Sequence, residues 1–120
     1  MGQDESIMKL LEGRFLSSIE FVSTYIQLRF DGPQLNVINF PQISPDGSHW
    51  IKHDEKEFYY FLIRCIGSNV QHVKFEIDNV FEIWFDNNFG FKVSLKEDNY
   101  QTNSAEALLF WDEQGNLVAV

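Results

Sequence analysis

The sequence predicts an α+β fold: an antiparallel sheet built from two similar three-stranded units, one amphipathic helix over about 54–66 between them, and a C-terminal hairpin. Three observations carry this. Apolar and polar residues alternate strictly through Val73–Leu95, the mark of strands with one packed face and one wet face. The same grammar occurs earlier, between Ile19 and Val37. Between the two copies a single stretch switches to the helical period.

The repetition is residue by residue. Gly13 answers Gly67, Ile19 answers Val73, Phe21 answers Phe75, Leu28 answers Ile83, Phe30 answers Phe85, Asp31 answers Asp86, Leu35 answers Phe91 and Val37 answers Val93, the offset drifting from 54 to 55 to 56 at the two turns. The repeat units span about 13–43 and 67–95. A chain of 120 residues holds about one domain, so both units share one core in a single domain, 1–120. Whether they form one continuous sheet or two facing ones is left open by the pattern.

In chain order, Ile7, Met8, Leu10 and Leu11 make a short helical turn or a strand lead-in. A first strand falls within Arg14–Val22, rich in β-prone Phe15, Ile19, Phe21 and Val22, and a second over Tyr25–Phe30. Asp31-Gly32-Pro33 is a turn, because Gly accepts positive φ and Pro cannot extend a ladder. Gln34–Ile43 reads as the third strand, with Pro41 ending it or limiting it to an edge, and 44–48 as another turn. Asp54 and Glu57 have capping-box spacing, Phe58, Phe61, Leu62, Cys65 and Ile66 make the helical stripe, and Gly67 closes it. In the second unit Val73, Phe75 and Ile77, then Phe81, Ile83 and Phe85, then Phe89, Phe91, Val93 and Leu95 face inward. A polar loop over 96–103 and a helical turn over 104–107 lead to a buried strand, Leu108–Trp111, a turn around Gly115 and a terminal strand, 117–120.

Composition bounds the function. Twelve Phe, four Tyr and three Trp promise an aromatic core and rule out a disordered chain. One cysteine forms no internal disulfide, no apolar run reaches membrane-spanning length, and the start lacks a secretory pattern, so the expected compartment is the cytoplasm. Gly2 and Ser6 match the loose myristoylation pattern, but no basic neighbours support anchoring. The net charge of −9 repels nucleic acid and anionic membranes and draws in basic partners; it also serves plain solubility.

No catalytic signature is present. His49 and His53 have helical i, i+4 spacing, but Trp50 stands where a metalloprotease pattern needs Glu, and no second cysteine or obvious third ligand completes a metal site. His72 belongs to the surface and Cys65 to the packed stripe. The glycines lack a phosphate-cradling pattern and no serine sits in a nucleophile elbow. No cofactor, metal or catalytic residue is expected. Trp84 carries more information: if Phe81, Ile83 and Phe85 face the core, Trp84 and Glu82 point outward, beside Glu76 and Asp78 on one neighbour and Lys92 on the other. An aromatic ringed by carboxylates suits an interface anchor, and Glu76, Asp78, Glu82, Trp84 and Asp86 are the candidate partner-binding residues. The competing reading is that this face is covered too and Trp84 is core.

The phrases Gln27-Leu28-Arg29-Phe30-Asp31-Gly32-Pro33, Ile66-Gly67, Glu82-Ile83-Trp84-Phe85-Asp86, Val93-Ser94-Leu95 and Ala105-Glu106-Ala107-Leu108 resemble a widespread group of small bacterial proteins. In size, acidity and two-copy organisation the chain also resembles the immunity proteins of bacterial polymorphic-toxin and contact-dependent growth inhibition systems. The resemblance implies a non-enzymatic intracellular protein that binds and blocks one cognate toxin domain, a basic nuclease suiting an acidic inhibitor. The shared phrases are turn glycines and core aromatics, so no binding residue is carried over. A small-molecule binding module and a nucleic-acid-mimicking inhibitor of a defence enzyme are the alternatives.

Overall fold

The fold is that of a computed structural model, which describes residues 3–96 and 106–120. Helix α1 (Gln3–Met8) runs into a 3-10 turn (Lys9–Leu11) and then a meander of β1 (Ser18–Val22), β2 (Tyr25–Arg29) and β3 (Gln34–Val37). The hairpin β4 (Pro41–Ser44) and β5 (Ile51–Lys52) follows. Helix α2 (Lys56–Ile63) opens the second copy, with meander β6 (Val70–Glu76), β7 (Val80–Phe85) and β8 (Gly90–Ser94), then hairpin β9 (Leu108–Trp111) and β10 (Leu117–Ala119). The order helix, meander, hairpin is therefore stated twice.

The strands form two five-stranded antiparallel sheets, ordered β1-β2-β3-β9-β10 and β5-β4-β8-β7-β6. Each unit keeps its meander and gives its hairpin away: β4 follows β3 in the chain but pairs with β8, and β9 follows β8 but pairs with β3. A two-fold relation is visible in the backbone at the junction. Gly13 N–H donates to Val70 C=O (2.8 Å) and Gly67 N–H to Leu16 C=O (2.7 Å), while Val70 N–H donates to Arg14 C=O (2.7 Å) and Leu16 N–H to Ser68 C=O (3.0 Å). Each bond is its mate moved by 54 positions. Gly13 and Gly67 have φ of 90° and 92°, which L side chains rarely adopt, so glycine at both places lets the chain turn from helix into this junction.

Side chains of both sheets and both helices meet in one apolar cluster, which includes Met8, Leu28, Phe30, Leu35 and Phe110 from the first unit's side and Phe58, Phe81, Ile83, Phe85 and Phe91 from the second. Alternation along β7 is as the sequence requires: Phe81, Ile83 and Phe85 are buried, Val80, Glu82 and Trp84 only partly.

Several expectations are corrected in detail. The third strand read over Gln34–Ile43 is two strands on different sheets, with Pro41 opening the second, where its missing N–H is tolerated. The first strand starts at Ser18; Phe15 makes only a single bridge, to Asn69. The helix spans Lys56–Ile63 rather than 54–66, because Cys65 N–H and Ile66 N–H bond the carbonyls three residues back, Leu62 (3.0 Å) and Ile63 (3.1 Å), and tighten the coil into turns. The capping box is not formed: Glu55 occupies the N-cap with no side-chain bond. The helical reading of Ile7–Leu11 holds, so two helices rather than one accompany the sheets among the described residues. The C-terminal hairpin is present, its turn held by Asp112, which accepts from Gln114 N–H (3.0 Å), Asn116 N–H (2.8 Å) and the Asn116 amide (2.8 Å). Residues 97–103 of the loop read over 96–103, the first half of the turn read over 104–107 and Gly2 of the myristoylation pattern lie outside the described residues. No described helix is long and apolar enough to cross a membrane.

Candidate partner-binding face

The outer face of the second sheet is set by register. Lys74 lies opposite Glu82, Glu82 opposite Lys92, Lys92 opposite Gln42 and Gln42 opposite Lys52, a row across all five strands in which Glu82 has a lysine on each side. The neighbour of Glu82 on β6 is thus Lys74; Glu76 lies opposite Val80. Lys92 is the expected neighbour on the other side.

Trp84 is neither a free anchor nor core. Its indole Nε1–H donates to Glu82 Oε1 (2.9 Å), fixing that carboxylate beside it. Its ring lies over Gly90, where an added Cβ would come within 2.5 Å, and near Gly47, at 3.6 Å from a Cβ there. Trp50 meets it edge-on with centroids 5.7 Å apart, and the Lys92 ammonium sits 4.1 Å from the Trp50 ring. Two glycines, one on β8 and one in the β4–β5 connection, thus make the hollow that this side chain fills.

The remaining candidates divide by position. Glu76 and Asp78 lie at the β6–β7 turn, which is closed by Asn79 N–H donating to Glu76 C=O (3.0 Å), with Asp78 at a φ of 62°. Asp86 lies just beyond the far end of β7 and is occupied: it accepts from the Asn69 N–H (3.1 Å) and the Asn69 side-chain amide (3.2 Å). At about 3.4 Å per residue, the turn and Asp86 stand roughly 20 Å apart. The five residues therefore form no single patch; Glu76 and Asp78 belong together, Glu82 and Trp84 form a fixed pair, and Asp86 is a pin between β6 and β7.

The sequence reading placed Ile77 inward, and the structure corrects this. It falls in the turn between Glu76 and Asp78 and is 65% exposed, the most exposed large apolar side chain among the described residues. The signal was there in Asp78-Asn79, a pair that favours turns and tolerates positive φ. The β6–β7 tip is thus an apolar knob between two carboxylates.

His49 and His53 are not on a helix, since the extended β5 lies between them; the His53 ring stacks on Phe40 with centroids 3.8 Å apart. No group of three His, Cys, Asp or Glu that could hold a metal occurs among the described residues. His72 is exposed, its Nδ1 3.4 Å from Glu12. Cys65 is buried, which pushes its thiol up to about 12, and it faces the Phe61 carbonyl at 3.6 Å. A largely apolar cleft of about 290 Å³ opens between the β1–β2 turn, the β3–β4 connection and α2, with Tyr25, Phe40, His53 and Tyr59 in its walls.

Fold and face together define the class: an internally duplicated, two-sheet α+β protein with exchanged hairpins and an exposed apolar tip flanked by acid. No family model, no curated protein and no solved structure matches the chain.

Proposed function

We propose that the chain is a non-enzymatic, cytoplasmic partner-binding protein of the immunity type, which occludes a basic toxin domain, a nuclease being the class that best suits its charge. The observation that supports this reading is the β6–β7 tip: Ile77, 65% exposed, stands between Glu76 and Asp78 on a hairpin anchored in the core. Such a knob offers an apolar anchor for a pocket and two carboxylates for the cationic rim that a nucleic-acid-cleaving enzyme presents. The net charge of −9 adds long-range steering toward such a surface. Mimicry of a phosphate ridge fits less well, because Glu82 is interleaved with Lys74 and Lys92. A second reading, a small-molecule binder, is favoured by the 290 Å³ aromatic cleft, which is at the small end of ligand sites.

The test is a titration of the toxin encoded beside this chain. Stoichiometric protein should abolish its activity, and Glu76→Lys with Asp78→Lys should slow association roughly tenfold or more, with a weaker salt dependence than the native pair. Full toxin activity in the presence of excess native protein would refute the reading.

A further inference from the structure

The two sheets end on copies of the same strand, and the two edges are finished differently. On β6 the edge is capped: Val73 N–H donates to Glu12 Oε2 (2.8 Å) and Val73 C=O accepts from Lys9 Nζ (2.5 Å). Side chains from the 3-10 turn and from the residue that follows it thus satisfy the outward backbone groups in mid-strand. Unpaired groups on an edge are a template for another strand, and folded proteins close or blunt them.

The copy of Val73 on β1 is Ile19, which lies opposite Leu28 as Val73 lies opposite Ile83. The parity of an antiparallel pair then turns the N–H and C=O of Ile19, and of Phe21 two residues on, away from β2. At the copies of Lys9 and Glu12 the chain has Ile63 and Ile66, side chains that neither donate nor accept. No described residue bonds the outward groups of Ile19 or Phe21. Helix α2 itself packs on β4 and β5, and the segment from Tyr59 to Gly67 is tied to the β1 side at both ends, by the Tyr59 ring meeting Phe21 at 5.5 Å and by Gly67 N–H on Leu16 C=O. Ile63 and Ile66 lie between those points and are 50% and 44% exposed. Where the second sheet has a closed edge, the first has an open one beside an apolar wall.

We propose that β1 accepts a strand from a partner protein: an extended segment pairs with the outward groups of Ile19 and Phe21, its apolar side chains toward Tyr59, Ile63 and Ile66 and its basic ones toward Glu20. Main-chain bonds supply affinity in such strand addition and alternate side chains supply specificity. Charge selects the occupant. Two copies of this chain carry −9 each, and antiparallel pairing of β1 with itself brings the two Glu20 carboxylates together. Arg29 holds Glu20 from the β2 side at 2.8 Å and leaves it 54% exposed, open to a cation on the added strand. This site lies on the other sheet from the Ile77 tip, so the two stand or fall separately.

The experiment is backbone NMR of the whole protein titrated with an end-blocked peptide of alternating valine and lysine. The peptide should shift the Ile19 and Phe21 amides and slow their exchange by roughly tenfold or more, as hydrogen bonding to a strand requires. Ile63→Lys with Ile66→Glu rebuilds at β1 the pair that caps β6 and should abolish binding. As a second variant, Phe21→Pro removes one outward N–H without touching β2 and should bind roughly tenfold more weakly than Phe21→Ala, the worth of about one hydrogen bond. The proposal is overturned if the peptide leaves both amides unmoved, if the rebuilt pair binds it as well as the native chain, or if both amides are already slow in the free monomer. Protection that rises with protein concentration alone would assign the edge to a second copy and equally end the proposal.

Discussion

A Cβ on Gly90 would meet the Trp84 ring at 2.5 Å, so the ring, which also packs against Gly47 and Trp50, would have to shift. Overpacking of this kind costs about 1–3 kcal/mol. Gly90→Ala should lower stability to urea by that order, and the cost should shrink sharply in a Trp84→Ala background, where the ring is gone. An equal cost in both backgrounds would show that the strain lies elsewhere. Asp46 illustrates a second residue-level effect. Its carboxylate accepts from Ser48 N–H (2.9 Å) and His49 N–H (2.8 Å), and from Ser44 Oγ, which together lower its pKa from 3.8 to about 2. Because the folded value is depressed, this stabilisation is complete above pH 3.8 and is lost as pH falls through about 2. Asp112 is depressed in the same direction, chiefly by the Asn116 side chain. Thermal unfolding should therefore shift downward over that acid range, and Asp46→Asn should make the shift shallower; an unchanged slope would exclude Asp46 as a contributor. At this scale strand parity made the outward directions of Glu82 and Trp84 readable in advance. The hollow made by Gly47 and Gly90 was not readable, because it joins residues that only the sheet order brings together.

At the scale of elements, what repeats locally was legible and what depends on partners was not. The alternation of Phe81, Ile83 and Phe85 fixes a buried face whichever strands lie beside it. The stretch 34–43 alternates through Leu35, Val37 and Ile43 in the same way, yet its two halves lie on different sheets, since the choice between β8 and β9 as neighbour is made by contacts far off in the chain. Helix α2 carried the expected buried Phe58 and Leu62, with Cys65 buried in the turn just past its end, whereas Ile66, read into the same stripe, is exposed; the apolar residues of the helix also extend round the coil to Tyr60 and Ile63, a breadth the one-sided stripe did not announce. Ile77 broke parity because Asp78 turned the chain there. The candidate face was thus half legible: the acidic residues were identified and the apolar tip between two of them was not.

At the scale of the molecule, the exchange of hairpins is the controlling feature. Neither unit holds a complete sheet: the first lacks β9 and β10 unless the second supplies them, and the second lacks β4 and β5 unless the first does. The apolar cluster is continuous across both. Two copies bound in this way should unfold together rather than one at a time, unlike two domains in series. The tryptophans allow the point to be tested, because Trp111 lies in the first sheet, on β9, whereas Trp84 lies on β7 of the second and packs against Trp50. Urea unfolding should be followed by fluorescence in Trp111→Phe, which reports the second sheet, and in Trp50→Phe with Trp84→Phe, which reports the first, each alongside circular dichroism of the same variant. Within each variant the fluorescence and dichroism midpoints should coincide in a single transition; a fluorescence transition separated from the dichroism, with one sheet melting while the other persists, would show that the exchanged hairpins do not bind the two units into one cooperative fold.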